Sequence, residues 1–148
     1  MQALNQFQQT AERGQVAYLN CDSFKMSAVV DSSETGTLKA GDAVKIVATS
    51  KGIPHVAKVG SSDTAAFGVV VYNAVKNDGI VAGDRVEVAF TGAFIYMVAS
   101  AAIDAGVAVD YAYATGKVAT ANSGLGIGVA VEAAAQDGDL IAVYVKTI

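Results

Sequence analysis

From Thr37 onward, turn signals recur at roughly eight- to twelve-residue intervals, the rhythm of a chain that doubles back on itself as short strands. Among them are Ala40-Gly41-Asp42, Asn77-Asp78-Gly79, Ala82-Gly83-Asp84, Thr115-Gly116-Lys117 and Asp137-Gly138-Asp139. Glycine enters positive φ without steric cost, and Asp or Asn bonds its own backbone, so each is a turn for a physical reason. The segments between them read as strands: Ala43–Ala48, His55–Val59, Ala66–Tyr72, Arg85–Phe90, Ala93–Val98, Val107–Tyr113, Lys117–Ala121, Gly126–Val131 and Leu140–Val145. Val86, Val88 and Phe90 alternate with Glu87 and Ala89, which predicts one buried and one wetter face. Val69-Val70-Val71 does not alternate and predicts a strand covered on both faces. Helical spacing comes close only in Ala99–Ala105 and Val131–Gln136, each too short for a stable helix. The expected class is all-β, a small barrel or tulip-like domain.

Two stretches repeat in order. Ala40-Gly41-Asp42-Ala43-Val44-Lys45 resembles Ala105-Gly106-Val107-Ala108-Val109-Asp110, and Phe67-Gly68-Val69-Val70-Val71-Tyr72 resembles Ile127-Gly128-Val129-Ala130-Val131-Glu132. A third Ala-Gly copy, Ala82-Gly83-Asp84, closes the first half and leads to a bridge over Thr91–Ala101. Chance recurrence of common dipeptides is the alternative, but shared order and spacing favour two similar halves, about 37–90 and 102–148, packed together.

Residues 1–36 differ, with few apolar side chains among Gln, Asn, Ser and Thr. Leu4, Phe7 and Ala11 have helical spacing, which Gly14 interrupts, and Phe24, Met26 and Ala28 alternate as one short strand. The segment reads either as a strand tucked against the domain or as an extended arm that orders on a partner. With the boundary drawn at 36, Leu4, Phe7, Tyr18, Phe24 and Met26 are the candidate interface residues, large apolar groups that suit pockets on a partner.

The composition narrows function by exclusion. Apolar residues make up 53% of the chain but aromatics only 7%, with no Trp, which suits thin, tightly packed sheets better than a deep ligand cavity. A net charge of −4 argues against nucleic acid, whose binding is mostly phosphate neutralisation. No apolar run is long enough for a transmembrane helix, and the first residues lack the pattern of a secretion signal. With a single cysteine and no intrachain disulfide, synthesis in a reducing cytoplasm is expected. The single Cys21 can bridge only to another chain.

Chemistry is sparse. One histidine, His55, follows the only proline, Pro54, and neither a zinc pair nor a Cys21–His55 dyad has a supporting signature. Gly124-Leu125-Gly126-Ile127-Gly128 does not complete a dinucleotide fingerprint, and no phosphate loop is present. Asp137 and Asp139 read as turn chemistry and not as a calcium loop. Glu12, Asp22, Asp31, Glu34, Asp63, Glu87, Asp104 and Glu132 are dispersed, and Tyr96, Tyr111, Tyr113 and Tyr144 fall within strands and do not form a sugar platform. No catalytic residue, cofactor or metal ligand is expected.

The succession FQQTAERGQVAY, LKAGDAVKIV, FGVVVYNAV, GIVAGDRVEVAFTGAFIYMV, IDAGVAVDYAYATGKVAT, GIGVAVEAAA and IAVYVKTI resembles the structural cement proteins of tailed bacteriophages and a related group of small phage head proteins. The resemblance spans nearly the whole chain, most strongly Gly83–Ile148. It implies a capsid decoration protein on the outer surface of the virion, made in the host bacterial cytoplasm. It also implies a homotrimer whose partner is the major capsid protein. A virion-surface module that binds glycans is the competing expectation.

Overall fold

The computed structural model describes residues 11–17 and 24–147. Ten strands follow one another: β1 (Lys25–Val30), β2 (Ala43–Ser50), β3 (Ile53–Lys58), β4 (Gly68–Val70), β5 (Arg85–Ala89), β6 (Phe94–Val98), β7 (Ala108–Ala112), β8 (Lys117–Thr120), β9 (Leu125–Ala130) and β10 (Leu140–Val145). No helix occurs among the described residues. Every candidate strand is present, and the alternation around Phe24–Ala28 becomes β1. The fold is all-β, as the turn rhythm requires.

The first five strands close into a barrel in the order β1-β3-β2-β4-β5, and the last five form a sheet in the order β6-β10-β9-β7-β8. These are one topology used twice. β1 pairs antiparallel with β5 and parallel with β3. β6 pairs antiparallel with β10 and meets β8 only through one parallel bridge, Ala99 with Val118. Matching hydrogen bonds fix the correspondence. Gly41 N donates to Val70 O and Gly106 N to Ala130 O, while Gly83 N donates to Val30 O and Gly138 N to Ala99 O. The third Ala-Gly copy is therefore the counterpart of Asp137-Gly138-Asp139, and its carboxylate acts alike in both halves. Asp84 Oδ2 accepts from Val81 N and Asp139 Oδ2 from Gln136 N.

The glycine anchors of the repeat have a steric cause. A Cβ on Gly68 would lie 2.2 Å from Ala89 O, and one on Gly128 would lie 1.9 Å from Tyr144 O. Ala89 and Tyr144 are themselves counterparts, so one close backbone approach is built twice.

Two boundaries move. Each repeat needs a first strand that the sequence reading left outside, β1 in the arm and β6 in the bridge. Ala28 and Val30 are buried to 1% exposure inside the barrel, so residues 24–36 belong to the domain and not to an extended arm. A short run with two buried positions looks arm-like in sequence because its partners, β3 and β5, are remote. Residues 13–17 are also docked, as a strap along β6. Gly14 N donates to Tyr96 O, Tyr96 N to Gln15 O and Ala17 N to Phe94 O, at 2.8–2.9 Å. Leu4, Phe7, Tyr18 and Cys21 lie outside the described residues.

The core has two compartments. Ala28, Val30, Leu38, Val44, Val56, Val70, Ile80, Val86 and Val88 fill the barrel. Their counterparts in the second half, among them Ile103, Val109, Val118, Ala130, Ile141 and Val143, join a larger cluster that includes Ala43, Val69, Val71 and Ala89 from the outer wall of the barrel. Val70 thus points into the barrel while Val69 and Val71 point at the other half, which is why that run does not alternate.

Candidate interaction surface

The junction between the halves is fastened by charge. Arg13, at the head of the strap, donates from Nη1 to Ala40 O at 2.6 Å, and from Nη2 to Gly41 O at 2.8 Å and Gly116 O at 2.9 Å. Its Nη2 also meets Asp42 Oδ1 at 3.0 Å, where the carboxylate is 1% exposed. Asp42 additionally accepts from Lys39 N at 2.9 Å, lies 3.6 Å from Lys58 Nζ, and takes the Tyr111 hydroxyl at 3.4 Å. Burial first, and then the Asp42 charge, raise the Tyr111 pKa. A buried carboxylate with this many donors is tied down from both halves, which locks their mutual geometry. Gly14 lies so close to the turn that a Cβ there would sit 2.7 Å from Gly41 N.

From the sequence Asp42 is legible as a turn residue, and Arg13 belongs to no motif. A signal for the pair exists: Asp42 occupies the repeat position where Val107 stands, a charge in an apolar slot.

The residues weighed for chemistry have structural partners. His55 Nδ1 lies 3.3 Å from Asp31 Oδ1, at the seam where β1 meets β3. The Ser33 hydroxyl and amide, and then His55, hold the Asp31 carboxyl below its ordinary range. Asp139 accepts from Ala135 N and Gln136 N, which is turn chemistry, whereas Asp137 forms an ion pair with Lys117 at 2.8 Å. Among the described residues no group of three His, Cys, Asp or Glu side chains is arranged to hold a metal. A shallow groove of about 480 Å³ runs beside β5, lined by Val71, Tyr72, Lys76, Asp84, Arg85 and Glu87. No described helix is long and apolar enough to cross a membrane.

What the surface offers is contact area. β2 and β3 run past the barrel as a hairpin, with Ile46 through Gly52 exposed on consecutive residues. Its tip, Lys51-Gly52, has φ of 53° and 77°, the pair of positive angles that a two-residue hairpin turn demands. Ile46 and Val47 are each 44% exposed, and Val75 on the connection before β5 is 93% exposed. Phe24 is half exposed and tilted against Phe90, with ring centroids 6.0 Å apart, while Met26 is half buried in β1. Two of the five candidate interface residues therefore sit on the barrel itself.

Residues 33–146 match a family model described as phage cement protein. Among solved structures the chain is similar to the head fiber gp8.5 N base in bacteriophage phi29, with a TM-score of 0.57 and 18% identity, covering 84% of this chain and 96% of that one. At that identity the likeness is one of fold. No curated protein matches the sequence.

Proposed function

Because the chain belongs to the phage cement protein family, we propose that it binds the outer surface of an assembled phage head and stabilises it by bridging neighbouring subunits of the major capsid protein. The observation that carries this reading is the family match over residues 33–146, which spans most of both halves and the Asp42 junction. A domain whose halves are locked by the Arg13–Asp42 network suits the task, because a rigid body touching two subunits resists their separation. Anything that binds the assembled shell and not the dissociated subunits favours assembly, so no catalysis is required.

In this reading the protein acts on the virion surface after synthesis in the host cytoplasm. It self-associates as a homotrimer, for which exposed Ile46, Val47 and Val75 provide apolar contact. Residues 1–10, with Leu4 and Phe7, together with Tyr18, Phe24 and Met26, contribute anchors. Tethered anchors make each later contact intramolecular, which raises avidity without new chemistry.

The test is addition of purified protein to expanded heads that lack it. Saturable binding at a fixed copy number and a higher disruption temperature of the heads are expected; heads that neither bind it nor gain strength would remove the proposal. Removing residues 1–10 should leave the melting temperature unchanged and weaken head binding at least tenfold, about 1.4 kcal/mol.

A further inference from the structure

The two halves differ in how the seam beside their first strand is filled, and the unfilled one points to a binding edge. In the second half the outward backbone groups of β6 include Phe94 O, Tyr96 N and Tyr96 O, and the strap bonds these three. Val16 of the strap stands opposite Ile95, which is fully buried. Arg13 then reaches Gly116 O on the β7–β8 turn across the seam.

The counterparts in the barrel follow from register. Lys25 pairs with Ala89 as Phe94 pairs with Tyr144, so Lys25, Met26 and Ser27 correspond to Phe94, Ile95 and Tyr96. Val30 N donates toward β5 and Asp31 N toward β3, so along β1 the even residues bond β5 while Lys25 and Ser27 face the seam. β3 closes the seam only at Val29 and Val30, opposite His55 and Val56. Continued one step, the parallel ladder would need an N–H from residue 54, which is Pro54 and has none. No described residue pairs with the seam side of Lys25 and Ser27, and both residues are exposed. Met26, the counterpart of buried Ile95, is only half buried.

We propose that the seam edge of β1 accepts an extended segment of the major capsid protein as an added strand, as the strap is accepted by β6. The bonds run to the N–H and C=O groups of Lys25 and Ser27, and a small or β-branched apolar side chain covers Met26 where Val16 covers Ile95. Strand addition of this kind draws affinity from main-chain bonds and specificity from alternate side chains. The inference rests on the function proposed above, because it takes the capsid protein as the donor of the strand.

Hydrogen exchange on wild-type protein, free and bound to heads, tests it. The Lys25 and Ser27 amides should exchange freely in the unbound protein and at least tenfold more slowly on heads, while the Ala28 amide is protected in both states. Ser27→Pro removes the seam-side donor and not a barrel bond; it should weaken head binding at least tenfold with the melting temperature held. If that variant fails to fold, the wild-type exchange result decides alone. Bound protein whose Lys25 and Ser27 amides still exchange freely, or a folded Ser27→Pro protein of wild-type affinity, overturns this inference and leaves the cement reading standing. Absence of any binding by the wild type overturns both.

Discussion

Ile46 and Tyr111 occupy the same place in the two halves. Register places Ile46 opposite Val56 and Tyr111 opposite Val118. Tyr111 is 3% exposed, covered by the Asp42 turn of the first half, whereas Ile46 is 44% exposed. The same contrast holds along the first strands, where β6 carries the strap and the seam side of β1 carries no described partner at Lys25 and Ser27. The shared strand order gives two equivalent surfaces, and among the described residues only one of them is covered. The second half is thus the acceptor within the molecule, whereas no described residue takes the equivalent contacts of the first half at Lys25 and Ser27, where the added strand is proposed.

This asymmetry can be broken at several points. The largest effect should come where the halves are alike. Gly68→Val or Gly128→Val places a side chain within 2.2 Å or 1.9 Å of a backbone oxygen, so each should cost about 4 kcal/mol or more and abolish folding. Soluble expression and denaturant unfolding measure it; tolerance at one position alone would show that the close approach is not shared.

Where the halves differ, substitutions should diverge. Tyr111→Ala empties a buried site and should cost about 3–4 kcal/mol, while Ile46→Ala should change the stability of the free protein by less than about 0.5 kcal/mol. Similar losses in urea unfolding would mean that Ile46 is covered in solution.

Arg13→Ala tests the clasp between them. It leaves Asp42 buried with weaker partners, and a loss of about 3 kcal/mol is expected, the low end for breaking a buried pair because Lys58 remains near. Arg13→Lys should recover only part of this, since one ammonium cannot reach Ala40 O, Gly41 O and Gly116 O together. A double-mutant cycle with Asp42→Asn checks that the loss is shared.

The smallest effect concerns acid. Asp31, Asp63 and Asp84, all in the first half, are held below the ordinary carboxylate value by Ser33 and His55, by Lys45 with Gly60, and by Lys76 with Val81. A carboxylate with a lowered folded pKa adds stability that is fully present above its unfolded value, and this is lost as pH falls through the folded one. Amides of the barrel should therefore lose protection in hydrogen exchange as pH falls below 3.8, the ordinary value of these carboxylates. Ser33→Ala should shrink the Asp31 share, and unchanged protection at the acid end would remove these pairs from the account.

Much of this was legible in the chain because turns and strand periodicity are local. Gly41, Gly83, Gly106 and Gly138 each take positive φ at turns or matching repeat points, and the ten strands lie between such punctuation. The first strand of each half escaped assignment to its repeat. β1 looks like an arm and β6 like a bridge, because neither resembles the other: Lys25-Met26-Ser27 against Phe94-Ile95-Tyr96. Arg13 escaped for a related reason. Its acceptors, Ala40 O, Gly41 O and Gly116 O, are backbone oxygens that leave no mark in residue type.

The sequence by itself determined that the chain is all-β and where it turns, and it showed two stretches alike in order and spacing, since glycine conformation and side-chain alternation act within a few residues. Only the tertiary structure decided which copy is closed, which is covered, and where the strap lies. Those outcomes depend on which surfaces meet across the molecule, and two near-identical strand units leave that choice to a few long-range contacts: the Asp42 junction, the seam at Pro54 and the strap on β6.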